Sequence, residues 1–137
     1  MIDNKVFKTI FISLLVIVSL ANCIGYVFDS FFYGMDDLPT GEYLFSSTSP
    51  DGSYTLKTYK VENCLGTAIR GELTANSKTG QPKNIYWSTD FSSAYVVWNN
   101  ASLITINGVM LDLSEDHIYD SRDESDVEYS LVKTKEQ

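Results

Sequence analysis

Acidic side chains are the most numerous reactive groups in this sequence, and they gather towards its end. Residues 112–128 contain eight carboxylates and one arginine. Two carboxylates that face each other across a cleft can hydrolyse a glycosidic bond, one as the acid and the other as the base or nucleophile. Glu72, on a predicted strand, and Asp112, at the end of another, are the first candidates for such a pair, although nothing in their spacing singles them out.

The same acidic stretch does not match a calcium-binding loop. A loop of the EF-hand type needs oxygen ligands at fixed offsets and a glycine at its sixth position. In the stretch that begins at Asp120, the third position is Arg122 and the sixth is Ser125. A solvated charged segment is the simpler interpretation. We predict no metal site and no cofactor.

Nucleophilic side chains are few. His117 is the only histidine, and no G-x-S-x-G or Cys-His signature accompanies it, so we interpret it as a surface imidazole. Cys23 lies in an apolar run and Cys64 lies alone in the later domain, so we expect no disulfide between them. Cys64 is then a small residue at a strand end, and together with His117 it offers too few ligands for zinc. The sequence therefore assigns no catalytic residue and favours a protein that is not an enzyme over the carboxylate-pair hydrolase.

Several side chains in the middle of the chain are candidates for contact with a ligand. They are Arg70, Glu72, Tyr86, Trp87 and Trp98. Tyr86 and Trp87 are adjacent on a predicted strand, so they face opposite sides, and we expect one in the core and the other exposed. Arg70 and Glu72 share a face two residues apart, which suits an ion pair.

An uncharged segment of twenty residues, Thr9–Phe28, comes before all of these candidates. As a helix it would be about 30 Å long, the thickness of the hydrocarbon core of a bilayer. Lys5 and Lys8 come before it and Asp29 follows it, so the positive-inside rule places residues 1–8 in the cytoplasm. The sequence predicts one transmembrane helix over 9–28, with everything after it outside the cell membrane.

Two other interpretations of this segment remain open. A cleaved signal peptide would have a shorter apolar stretch and a small-x-small cleavage site, which is not evident here. A lipoprotein signal would end just before a lipidated cysteine, and Leu20-Ala21-Asn22-Cys23 has that outline, with Asn22 a poor fit. Cys23 is therefore a candidate lipidation site. All three interpretations place the domain outside the cytoplasm.

The remaining residues are acidic and rich in short strand patterns. The net charge is −8, and 17 of the 18 acidic residues follow the apolar segment, which argues against a nucleic-acid partner. We predict a connector over 29–40, a β domain over 41–120 and a loosely ordered acidic tail over 121–137. The predicted strands are 42–47, 53–61, 67–74, 84–88, 94–98, 102–106 and 109–111. Asn107-Gly108 is the clearest hairpin turn, and the fold class is mainly β: an antiparallel sandwich or small open barrel after a transmembrane helix.

The order of these motifs resembles a known family. SPDGSYTLKTY at 49–59, AIRGEL at 68–73, KNIYW at 83–87 and ITINGVMLDL at 104–113 resemble the domain-of-unknown-function family 5412, found mainly in Gram-positive bacteria. The resemblance also includes the lead-in Leu38-Pro39-Thr40-Gly41-Glu42 and implies a membrane-spanning N-terminus with a compact β domain. It implies no activity, cofactor or catalytic residue.

Three hypotheses for function follow. The first is a non-enzymatic module of the cell envelope that binds a protein or a cell-wall ligand. The second is a hydrolase of envelope polymers that uses Glu72 and Asp112. The third is an accessory or immunity-type protein that acts through its membrane helix, where Ser19, Ala21 and Gly25 are small enough for close helix packing.

Overall fold

A long N-terminal helix precedes a domain built from two β-sheets. The computed structural model describes residues 1–77 and 79–127, and for residues 26–32 it describes the backbone alone. Helix α1 extends over Asn4–Phe32, and its part Asn4–Gly25 is long and apolar enough to cross a membrane. The apolar side chains of that part are exposed, unlike those of a core helix in a soluble domain.

The β domain contains eight strands in the described residues. They are β1 (Glu42–Thr48), β2 (Tyr54–Asn63), β3 (Gly66–Ala75), β4 (Lys83–Ser88), β5 (Val96–Trp98), β6 (Leu103–Ile106), β7 (Val109–Asp112) and β8 (Tyr119–Asp120). One sheet has the order β1-β2-β3-β4-β8 and the other the order β5-β6-β7. All neighbours are antiparallel except β8, which runs parallel to β4. The mainly β prediction is confirmed, and the two sheets do not form a closed barrel.

Local turn chemistry sets the hairpins where the sequence predicts them. Asn107 and Gly108 both have positive φ, 48° and 85°, as a type I′ turn between β6 and β7 requires. Between β1 and β2, Gly52 has a φ of 75°, and the Asp51 carboxylate accepts a hydrogen bond of 3.1 Å from the backbone N–H of Ser53.

The hydrophobic core lies between the two sheets. Its buried members are Leu56, Ile69, Ile85, Tyr86, Ile104, Ile106, Val109, Leu111, Leu113 and Tyr119. Gly71 lets β3 lie close to β4, because a Cβ there would stand 3.0 Å from the Cβ of Tyr86. The alternation along β3 that points Ile69 into this core points Arg70 to the opposite face.

The beginning of the predicted acidic tail packs against the domain. Ser121 donates a backbone hydrogen bond of 2.9 Å to the carbonyl of Trp87, and Val127 packs against the core. The assignment of 121–127 to a loosely ordered tail is therefore wrong, because few apolar side chains suffice when the backbone pairs with β4. Residues 128–137 lie outside the described residues.

Candidate functional site on the outer face of the five-stranded sheet

The outer face is the side of the five-stranded sheet that points away from the core, and Arg70 lies at its centre. The strand register places Arg70 between Tyr59 of β2 and Trp87 of β4. Arg70 is 5% exposed, an unusual degree of burial for a residue that keeps its charge in proteins. A charge so placed is tolerated only where polar groups surround it.

The Arg70 guanidinium has such partners on several sides. Its Nη1 donates to a Glu72 carboxylate oxygen at 3.0 Å and to Asn84 Oδ1 at 2.7 Å, and its Nη2 donates to the Thr40 carbonyl at 2.8 Å. The guanidinium carbon also stands 4.1 Å from the centroid of the Tyr59 ring. We call these side chains and the Thr40 carbonyl the Arg70 network.

This network fastens the connector to the sheet. Asn84 receives the hydrogen bond from Arg70 and donates one of its own, 2.6 Å long, to the carbonyl of Met35. Met35 begins a short 3-10 helix, Met35–Asp37, and together with Leu38 it packs against a small cluster of Val61, Ala68 and Trp87. The connector therefore lies on the domain and is held there by both polar and apolar contacts.

A disulfide forms a second tie between the domain and the helix. Cys23 in α1 is bonded to Cys64, and their Cα atoms are 5.8 Å apart. The expectation that the two cysteines do not pair is wrong, and Cys64 lies exposed in the turn between β2 and β3. The connector folds back on the sheet and brings this turn to α1. The sulfur that a lipid at Cys23 would need is occupied by this bond, so lipidation and the disulfide exclude each other.

A cavity of about 360 Å³ opens on the same face beside the turn between β2 and β3. Its lining includes Asn63, Leu65, Thr67, Trp87, Thr89 and Arg122. The Arg122 guanidinium carbon stands 5.7 Å from the Trp87 ring centroid, and two of its nitrogens donate to the Asp120 carboxylate at 2.8 and 2.6 Å. The cavity therefore combines apolar, hydroxyl and amide side chains with an ion pair, a mixture typical of small-ligand sites.

The structure brings together three of the candidate ligand-facing residues and separates the other two. Arg70, Glu72 and Trp87 share the outer face, and Arg70 pairs with Glu72 as predicted. Tyr86 is fully buried in the core, where it stacks on Tyr119, and burial raises the pKa of its phenol. Trp98 is half-buried and donates its indole N–H to Ser47 Oγ at 2.9 Å. The expectation that either Tyr86 or Trp87 is exposed is wrong, because the connector and Arg122 cover the face that carries Trp87.

The candidate carboxylate pair is divided between the two sheets. Glu72 belongs to the Arg70 network in the five-stranded sheet, whereas Asp112 ends β7 in the other sheet. The Asp112 carboxylate accepts hydrogen bonds from the N–H and hydroxyl of Ser114 at 2.9 and 2.6 Å. His117 is partly exposed and lies 3.0 Å from the carboxylate of Glu115. These local contacts hold the end of β7 at Asp112 and the loop that contains His117 in place.

Sequence reasoning missed Thr40, Tyr59 and Asn84 as partners of Arg70. The available signal was Arg70 itself, since an arginine within the apolar strand pattern of β3 requires several polar partners. Their separation along the chain concealed which residues these would be.

No group of three or more residues that could hold a metal ion occurs within the described part of the chain. Comparison with protein families gives one match, a family of unknown function (DUF5412), over residues 6–124. Comparison with curated proteins and with solved structures gives no match. The family match begins inside α1 and continues through β8, so the helix and the β domain are matched together.

Proposed function

This chain belongs to the family of unknown function DUF5412, and we propose that it is a single-pass membrane protein whose β domain binds a protein or cell-wall ligand outside the cytoplasm. In this proposal the protein is not an enzyme, and α1 is an uncleaved anchor. The family match supports the architecture, and the ligand class is our inference.

The Cys23–Cys64 disulfide is the observation that carries the extracytoplasmic placement. Disulfides persist in oxidising compartments and are rare in the cytoplasm, where thiols are kept reduced. The bond lies at the end of the apolar stretch of α1 that is opposite Lys5 and Lys8. Disulfide chemistry and the positive-inside rule therefore favour the same orientation.

The Arg70 network decides where on the outer face we place the ligand. Arg70 is engaged by Glu72 and by the Thr40 carbonyl, so we place the ligand in the cavity beside Trp87. A domain fixed by two ties holds this cavity in a constant orientation relative to α1. Such preorganisation favours binding, since little freedom is lost when a ligand is captured.

The orientation can be tested with single cysteines in a chain that carries Cys23→Ser and Cys64→Ser. We expect a membrane-impermeant thiol reagent to label Ser77→Cys on intact cells, because this residue is exposed in the loop after β3. Asp3→Cys, the matched control before α1, should be labelled after the cells are opened. Labelling in the reverse order would overturn the proposed topology.

The binding role can be tested by photocrosslinking in the native membrane. A photoreactive residue at Thr89, exposed at the cavity, should form a discrete adduct, whereas one at Ser77 on the far loop should not. Replacement of residues 4–22 by an unrelated apolar span should leave the Thr89 adduct intact. Absence of the adduct, or its loss on replacement of the span, would contradict a cavity-centred binding role.

A further inference from the structure

We propose that the turn between β2 and β3 lies in the headgroup layer of the membrane and that Leu65 inserts into the bilayer beside α1. This inference depends on α1 spanning the membrane, and it adds a second contact between the protein and lipid. The partner is the lipid surface itself.

The disulfide fixes the depth of this turn. Cys23 lies near the end of the apolar stretch Asn4–Gly25, and its Cα is 5.8 Å from that of Cys64. The headgroup layer on each side of a bilayer is about 5–7 Å thick. The uncharged run continues from Cys23 to Phe28, so the disulfide holds the turn within about one headgroup-layer thickness of the outer part of the membrane helix.

Polar groups in the turn then set the edge of the hydrocarbon. The Asn63 side chain accepts a hydrogen bond of 2.9 Å from the backbone N–H of Leu65, and Glu62 is exposed one residue earlier. A carboxylate and the open backbone of a turn require water or headgroups. The edge of the hydrocarbon therefore lies near Cys23 and not at Phe28, about 7.5 Å along the helix. Lys5 and Lys8 can extend their long side chains to the opposite surface.

The side chain at the tip of the turn suits this position. Leu65 is 62% exposed and lies in a turn, where polar residues are usual. The turn at the opposite end of the same hairpin stack, residues 49–53, reads Ser-Pro-Asp-Gly-Ser. Of these two turns, the one that the disulfide holds against α1 is therefore the more apolar. The loop that follows β4 begins beside the same cavity and adds a second exposed apolar residue, Phe91.

The contact is apolar and not electrostatic in this proposal. The chain has a net charge of −8, and Asp36 and Asp37 of the connector add acidic groups to the part of the chain that follows α1. Anionic lipids repel such a surface, whereas insertion of a leucine does not depend on lipid charge. Docking should therefore occur on zwitterionic membranes and persist when anionic lipid is added.

Paramagnetic broadening tests the proposal on the full chain. The protein, with methyl-labelled leucine and alanine, is placed in nanodiscs of phosphatidylcholine that carry a headgroup spin label. We expect the Leu65 methyl signals to lose most of their intensity, whereas the methyl of Ala101, near Asp51 at the other end of the domain, keeps its intensity. Inclusion of phosphatidylglycerol should leave this contrast unchanged.

Two results would overturn the inference. Leu65 and Ala101 signals of equal intensity would show either that the turn stands clear of the lipid or that the domain has no fixed orientation. Loss of the contrast in phosphatidylglycerol would show that lipid charge controls the contact. The variant Leu65→Ser provides a second test, and it should fold because this side chain is exposed. In this variant the spin label should broaden the Thr67 amide signal less than it does in the unchanged chain. The topology experiment with Ser77→Cys and Asp3→Cys does not depend on any of these outcomes.

Discussion

Replacement of Arg70 by methionine tests whether the Arg70 network holds the connector to the domain. Arg70→Met keeps an unbranched apolar stem but leaves Glu72, whose side chain is 20% exposed, without its ion pair. It also removes the donors to Asn84 Oδ1 and the Thr40 carbonyl. Loss of one partner from a buried pair costs about 3–5 kcal/mol, and the partial exposure of Glu72 places this case at the low end, about 3 kcal/mol.

Thermal unfolding of the full chain in detergent micelles measures this cost. Trp87 and Trp98 are the only tryptophans, and both lie in the β domain, so selectively excited tryptophan fluorescence reports that domain alone. A loss of about 3 kcal/mol corresponds to a fall in Tm of roughly 12–24 °C for a domain of this size. Lys60→Met is the matched control on the same sheet, because the pair of Lys60 with Glu62 is more exposed and its loss should lower the Tm much less.

A double variant, Arg70→Met with Glu72→Gln, separates the unpaired charge from the rest of the network. Because no buried carboxylate is then left alone, we expect it to recover at least half of the lost stability. The reasoning is refuted if Arg70→Met costs no more than Lys60→Met, or if the double variant is no more stable than the single one.

Three further outcomes follow from the structure. Gly41→Ala should lower the free energy of unfolding by about 2 kcal/mol in the same assay. The φ of Gly41 is 72°, and a Cβ there would stand 2.7 Å from the Lys60 carbonyl oxygen. Gly34→Ala is the control and should be neutral, because Gly34 has negative φ and open space around it. Reduction of the disulfide should lower the free energy of unfolding of the domain by at most about 4 kcal/mol, which is the chain-entropy value for a separation of 41 residues. Equal Tm values with and without reductant would contradict the presence of the Cys23–Cys64 bond. Burial raises the pKa of Asp126 above its ordinary value of 3.8, so the charged carboxyl costs stability above that pH. Asp126→Asn should therefore be slightly more stable than the unchanged chain at pH 7 and lose this advantage below about pH 3.8; a gain that grows on acidification would contradict the sign.

Elements governed by local chemistry could be predicted from the sequence. Asn107-Gly108 requires positive φ at two successive residues, and few other pairs of residues supply it, so the β6–β7 hairpin was predictable. The alternation in β2 and β3 likewise indicated strands, since period-two patterning is a property of a few adjacent residues. The same reasoning correctly placed Arg70 and Glu72 on one face.

Features that join distant segments could not be predicted in this way. The Cys23–Cys64 bond and the Thr40–Arg70 contact depend on how the connector folds back, and no local pattern encodes that path. Strand β8 consists of two residues paired in parallel with β4, too short to produce any periodicity. The outer face was expected to bind a ligand through its side chains. Nothing in the sequence showed that the connector and Arg122 would cover this face.

The disulfide also determines how the protein would transmit mechanical force. Cys23 and Cys64 close a covalent ring that contains the end of α1, the connector, β1 and β2. A pull on the end of the chain that follows β3 passes from β3 through the sulfur bridge to α1, so the hydrogen bonds of the connector carry no tension. Breaking the bridge would lengthen the tether and transfer that tension to the Arg70 network. The joint between α1 and the β domain is thus stiff in an oxidising environment and extensible in a reducing one.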